Sequence, residues 1–128
     1  MKESARYSRD KQKVFIVDDD ISVCRALSVL LGTYGFIVET FTSSENFFKA
    51  VPDNVQGCLL LDIHMPVMDG WKTLKRIVAS KSGRPVILVS ATKNGGIREM
   101  ALSAGAVAYL QKPFDDRTLV DLIQGVLL

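Results

Sequence analysis

The 128 residues amount to one domain's worth of chain, and a hydrophobic share of 48% is ample for a single packed core. With 16 basic against 14 acidic residues the formal charge is only +2 and no basic block occurs, which excludes a nucleic-acid binder driven by phosphate electrostatics. Residues 1–11 are polar and charged, and no apolar run approaches a membrane span, so the expectation is a cytoplasmic protein with a flexible N-terminal segment (1–11) and one domain (12–128).

Short apolar runs alternate with stretches of helical period, which predicts an α/β fold with a parallel sheet covered on both faces. The first strand is residues 14–17; Val23, Leu27, Leu30 and Leu31 then recur at helical spacing over about 21–33, until Gly32 and Gly35 end the helix. Residues 36–40 make a half-polar strand suited to a sheet edge, and Ser43 or Ser44 caps a short helix with Phe47, Phe48 and Ala50, stopped by Pro52. Residues 58–61 are apolar on both faces and so form a central strand. After a loop at 63–69, Asp69 caps a helix from about Gly70 that turns Trp71, Leu74, Ile77 and Val78 inward and Lys72, Lys75 and Arg76 outward.

Pro85 opens a fourth strand at 86–89. The turn-prone Asn94, Gly95 and Gly96 precede a helix at 97–104, expected to be the least stable of the set and suited to movement. Gly105 ends it, residues 107–110 form the fifth strand, and Asp115 or Asp116 caps a last helix with Leu119, Leu122, Ile123 and Val126 inward. Trp71 and Met100 are expected to be packing residues. Cys24 and Cys58 lie in apolar patterns with no CxxC spacing, and read as reduced core thiols.

Polar groups cluster where predicted strands end: Asp18, Asp19 and Asp20 after the first, Asp62 after the third, Ser90 after the fourth, Lys112 after the fifth. Parallel strands would bring these ends into one crevice. Unit charges a few ångströms apart repel by about 4 kcal/mol at an effective dielectric of about 20, so clustered carboxylates call for a cation. Mg²⁺ suits one or two carboxylates and keeps waters that phosphate oxygens can replace, whereas calcium would want more protein oxygens than this loop offers. With that ion, the Asp62 carboxylate can attack phosphorus to give an aspartyl phosphate, which Lys112 would pair and the Ser90 hydroxyl would hydrogen-bond.

Four segments, FIVDDD at 15–20, LDIHMPVMDG at 61–70, VSA at 89–91 and GAVAYLQKPF at 105–114, together resemble the receiver domain of two-component response regulators. The last looks closest to receivers of LuxR and FixJ type regulators. The resemblance covers about residues 12–127 and implies a flavodoxin-like (βα)5 sheet in the order 2-1-3-4-5, with its site at the switch point between strands 1 and 3. It implies Asp62 as phosphoacceptor, Asp18 and Asp19 with Asp62 and the His64 backbone carbonyl as ligands of Mg²⁺, and Lys112 as phosphoryl partner through a cis Lys112-Pro113 peptide. Ser90 and Tyr109 take the place of the switch residues, and Asp20 falls outside the set.

The same resemblance implies a histidine kinase or phosphotransfer protein as phosphodonor, and a homodimer formed on phosphorylation through the fourth helix, fifth strand and fifth helix. It leaves open a stand-alone receiver or the N-terminal part of a longer transcription regulator, with a C-terminal DNA-binding domain that does not lie in this segment. The protein would then be no enzyme beyond catalysing its own phosphorylation and dephosphorylation. Two other readings stay open: a haloacid-dehalogenase-like phosphohydrolase with Asp18 as nucleophile, and an interaction module that never uses phosphate. The acidic triplet also fits a plain helix-entry cap, and Tyr109 an ordinary strand aromatic. The His64 side chain is expected to face solvent, with Thr92 beside it at the same opening, where the two would modulate water access to the phosphoryl group.

Overall fold

A computed structural model describes residues 12–65, 69–93 and 95–127. The N-terminal segment 1–11, Pro66, Val67 and Met68 of the loop after the third strand, and Asn94 of the glycine turn lie outside the described residues. Five parallel strands, β1 (Lys13–Val17), β2 (Ile37–Phe41), β3 (Cys58–Asp62), β4 (Val86–Ser90) and β5 (Ala108–Gln111), form one sheet in the order β2-β1-β3-β4-β5. Every residue of β3 and β4 is buried, as a strand covered on both faces requires, whereas the edge strand β2 is mostly exposed.

Helices α1 (Ile21–Thr33), α2 (Ser44–Ala50), α3 (Gly70–Ala79), α4 (Ile97–Ser103) and α5 (Asp116–Leu127) connect the strands. Cys24 and Leu31 of α1 and Leu119, Val120 and Ile123 of α5 pack with Val14, Ile16, Leu60 and Ile87 on one face. Phe47 of α2, Leu74 and Ile77 of α3 and Ile97 and Ala101 of α4 pack with Phe15, Leu59, Leu61 and Leu88 on the other. Phe47 is the centre of the second layer, its ring meeting Phe15, Phe41 and Phe48 edge to face at 5.4–5.6 Å. Beneath it the buried Arg84 guanidinium donates to the carbonyls of Pro52 (3.1 Å) and Val55 (2.7 Å), tying the start of β4 to the loop before β3.

Caps fall where the short polar residues are: Ser43 accepts from Asn46 N–H (3.1 Å), Asp69 from Lys72 N–H (2.9 Å) and Asp115 from Thr118 N–H (2.7 Å). The start of α4, by contrast, falls on Gly96, which offers no side-chain cap hydrogen bond. The strands β2 and β5 each sit one residue later than the expected 36–40 and 107–110, both at sheet edges where the apolar pattern is weakest. Two inward expectations are corrected. Val78 is 53% exposed because it covers the α4–β5 turn, where a Cβ on Gly105 would lie 2.6 Å from its Cγ2, and Met100 is 56% exposed on α4. Both cysteines are free thiols in the core, and burial pushes Cys58 up to about 12.

Candidate phosphorylation site

The strand order places the ends of β1 and β3 side by side, with β2 on the far side of β1, so the chain reverses its winding there and opens a crevice. Asp18 follows β1 directly, Asp62 and Ser90 are the last residues of β3 and β4, and Lys112 follows β5. Parallel pairing holds the last three level: Asp62 is opposite Val89 and Ser90 opposite Gln111, while the Lys112 N–H donates to the Ser90 carbonyl at 2.8 Å. All four predicted strand ends therefore meet in one place.

Ligand oxygens of Asp18, Asp19 and Asp62 lie within 4.8 Å of one another. Asp18 and Asp62 are only 4% and 8% exposed, so water cannot screen their charges freely. Lys112 Nζ donates to Asp18 Oδ2 at 3.1 Å, and the other Asp18 oxygen accepts the Asp20 N–H at 2.9 Å. Burial, and after it the charge of Asp18, raises the Asp62 carboxyl above the usual Asp range, while Lys112 and the His64 N–H, 3.2 Å from Asp62 Oδ1, pull it back. One ammonium against three carboxylates leaves an excess of negative charge, so these three residues could hold a metal ion.

Around this centre the sequence expectations need two amendments. Asp20 is not idle: it is the N-cap of α1, accepting from Ser22 N–H at 2.8 Å and Val23 N–H at 3.4 Å, so the helix-cap reading of the triplet holds for its third member. Asp20→Ala should cost about 1 kcal/mol in urea unfolding, because the first turn of α1 loses its cap. His64 is exposed as expected but not merely solvated, because its Nε2 lies 2.7 Å from Thr92 Oγ1 and 3.4 Å from Ser90 Oγ. Thr92 in turn donates its N–H to Ser90 Oγ at 2.9 Å and accepts the half-buried Tyr109 hydroxyl on its carbonyl at 3.4 Å. The Lys112-Pro113 peptide is cis.

Two contacts carried no sequence signal. The Cys24 thiol, one turn into α1, donates to the Asp18 carbonyl at 3.3 Å and so ties the acidic loop to the helix. Gly70 lies hard against the acceptor strand: its N–H donates to the Ile63 carbonyl at 2.8 Å, and a Cβ there would fall 2.5 Å from Ile63 Cα and 2.7 Å from the Asp62 carbonyl oxygen. Only glycine permits that approach.

A family model described as the response regulator receiver domain matches residues 14–124. The chain belongs to that family. Its receiver fold is shared with known relatives: it is 32% identical to the transcriptional regulatory protein FixJ of Bradyrhizobium diazoefficiens over 117 residues, covering 91% of this chain and 57% of FixJ. It is 34% identical to the response regulator protein TodT of Pseudomonas putida over 123 residues, covering 95% of this chain and 54% of TodT. The solved structure of the response regulator StyR superposes with a TM-score of 0.83 at 37% identity, over 91% of this chain and 59% of that one. The chain thus spans about half the length of the curated relatives it matches. It is a receiver domain of two-component systems. Among the described residues no helix is long and apolar enough to cross a membrane.

Proposed function

We propose that this receiver takes a phosphoryl group on Asp62 from the phosphohistidine of a histidine kinase or phosphotransfer protein, in a Mg²⁺-dependent step, and that the modification controls dimerisation or an attached output domain. The observation carrying this reading is the convergence of three carboxylates within 4.8 Å beside the Lys112 ammonium. An oxygen of Asp62 attacks phosphorus in line, the phosphorus–nitrogen bond to the donor imidazole breaks with its electron pair going to nitrogen, and the ring leaves neutral on taking a proton from solvent. Asp18, Asp19, Asp62 and the His64 carbonyl would hold Mg²⁺, which supplies positive charge for the phosphoryl oxygens and for the carboxylates.

Lys112, already within reach through Asp18, neutralises a phosphoryl oxygen, and the Ser90 hydroxyl, wholly buried, turns to donate a hydrogen bond to another. Movement of Ser90 draws the β4–α4 loop with it, and Tyr109, bonded to that loop, follows. The changed surface is α4–β5–α5, where Met100, Leu102 and Val107 are exposed apolar side chains ready for a partner or a second copy. In a longer regulator that partner would be an output domain acting on transcription.

The test is covalent phosphate on the chain after incubation with Mg²⁺ and acetyl phosphate, mapped by borohydride reduction and peptide mass spectrometry. Phosphate on Asp62, absent when EDTA is added, is the expected result. Phosphate on Asp18 with rapid turnover would replace this reading with the phosphohydrolase, and no uptake by Mg²⁺, kinase or small donor would leave the interaction module.

A further inference from the structure

Thr92 is where the contacts of three functional side chains meet, each through a different group. Its N–H donates to Ser90 Oγ, its Oγ1 lies 2.7 Å from His64 Nε2, and its carbonyl accepts the Tyr109 hydroxyl. His64 in turn is tied to Asp62, because its backbone N–H donates to Asp62 Oδ1 at 3.2 Å. A continuous line of contacts therefore runs from the carboxylate of Asp62 through the His64 backbone and ring to the Thr92 hydroxyl and carbonyl and on to Tyr109. None of these links is made by the Ser90 hydroxyl, although its Oγ also lies 3.4 Å from His64 Nε2, so this line and the one through Ser90 touch at that ring.

We propose that His64 and Thr92 are positioning residues that form a second line of coupling from Asp62 to Tyr109, parallel to the one through Ser90. The inference rests on the reading that Asp62 takes the phosphoryl group. Esterifying Asp62 removes a charge from the carboxylate that holds the His64 N–H, so the best position of that residue changes. The ring at its end bridges two loops that otherwise belong to different strands, and at 2.7 Å the bridge is at the short, strong end for a neutral contact. A shift of His64 is thus delivered to Thr92, whose carbonyl is the acceptor of the Tyr109 hydroxyl. The two lines converge at Thr92, so losing its hydroxyl cuts one while its backbone N–H preserves the other. A net hydrogen bond between neutral groups is worth about a two- to tenfold change in a two-state population, enough to be read in a coupling experiment.

The experiment uses the full chain carrying 3-fluorotyrosine, with the Tyr109 fluorine signal identified by Tyr109→Phe, titrated with Mg²⁺ and beryllofluoride. The wild-type signal is expected to move. Ser90→Ala should keep a reduced movement, Thr92→Val in that background should remove it, and Thr92→Ser should restore it. His64→Ala should match Thr92→Val, and the two together should do no more than either alone, as members of one line. In the wild-type background Thr92→Val should lower the moved population about two- to tenfold, with Mg²⁺ affinity unchanged. A Ser90→Ala chain that shows no movement, or a Ser90→Ala/Thr92→Val chain that moves as much as Ser90→Ala, overturns the second line while leaving Asp62 as acceptor. A wild-type signal indifferent to beryllofluoride overturns this proposal, whereas covalent phosphate mapped away from Asp62 overturns the reading on which it rests.

Discussion

Asp62→Asn is expected to reduce covalent phosphate uptake by on the order of a thousandfold or more, because the exchange removes the proposed nucleophile while preserving its shape. Quantitative intact-mass spectrometry after incubation with acetyl phosphate and Mg²⁺ measures it. The same variant should be more stable than the parent at neutral pH in chelated buffer. Burial and the neighbouring Asp18 charge hold the Asp62 carboxyl above its ordinary range. Between the ordinary pKa and the raised one, the folded protein keeps a proton that the unfolded chain has released, so stability falls as pH rises through that window and the cost is complete above it. Thermal melts of the parent in EDTA should therefore lose stability across that window, and Asp62→Asn should lose less. Adding Mg²⁺ at neutral pH should recover the loss in the parent by mass action and raise the melting point of the variant less. Equal pH profiles for the two proteins would show that Asp62 is not the strained member of the triad.

Gly70→Ala is expected to cost about 3 kcal/mol in urea unfolding and to lower phosphate uptake about a hundredfold in the fraction that stays folded. The added Cβ would meet backbone rather than a yielding side chain, at 2.5 Å from Ile63 Cα and 2.7 Å from the Asp62 carbonyl oxygen, so the start of α3 or the end of β3 must move. Either movement shifts Asp62 against Asp18 and Lys112. The same exchange at Gly32 is the control, since a Cβ there has nothing within 4 Å and the residue lies inside α1, where alanine is the better helix former. A Gly70→Ala protein with unchanged urea midpoint and uptake would mean that the loop after β3 yields without consequence.

Strands buried on both faces show as apolar runs, and the polar residues directly after them mark the crevice, so Asp18, Asp62, Ser90 and Lys112 group on sequence pattern alone. Legibility failed where local pattern stops carrying information. At the sheet edges the strands start one residue late because exposure weakens the pattern that would fix their register, as in Ile37–Phe41. Val78 has the spacing of a core residue but meets a glycine turn at the surface, a fact that depends on where α4 ends. The acidic triplet carries the cap signal of a carboxylate ahead of a helix, but only the structure assigns the cap to Asp20 rather than to the two acids before it. That His64 and Thr92 share one opening follows from the strand ends they succeed, but their direct contact joins residues 28 apart in different loops, and composition and periodicity do not announce it.

The ion pair between Lys112 and Asp18 joins residues 94 positions apart, and it needs the last strand of the sheet to be in place. A polypeptide stalled or cleaved before residue 112 keeps all three carboxylates and loses the ammonium, so it owns the acidic half of the pocket without the half that offsets it. Readiness for the proposed modification therefore waits on the docking of β5, because the charge that offsets the acidic cluster is supplied from the far end of the sheet.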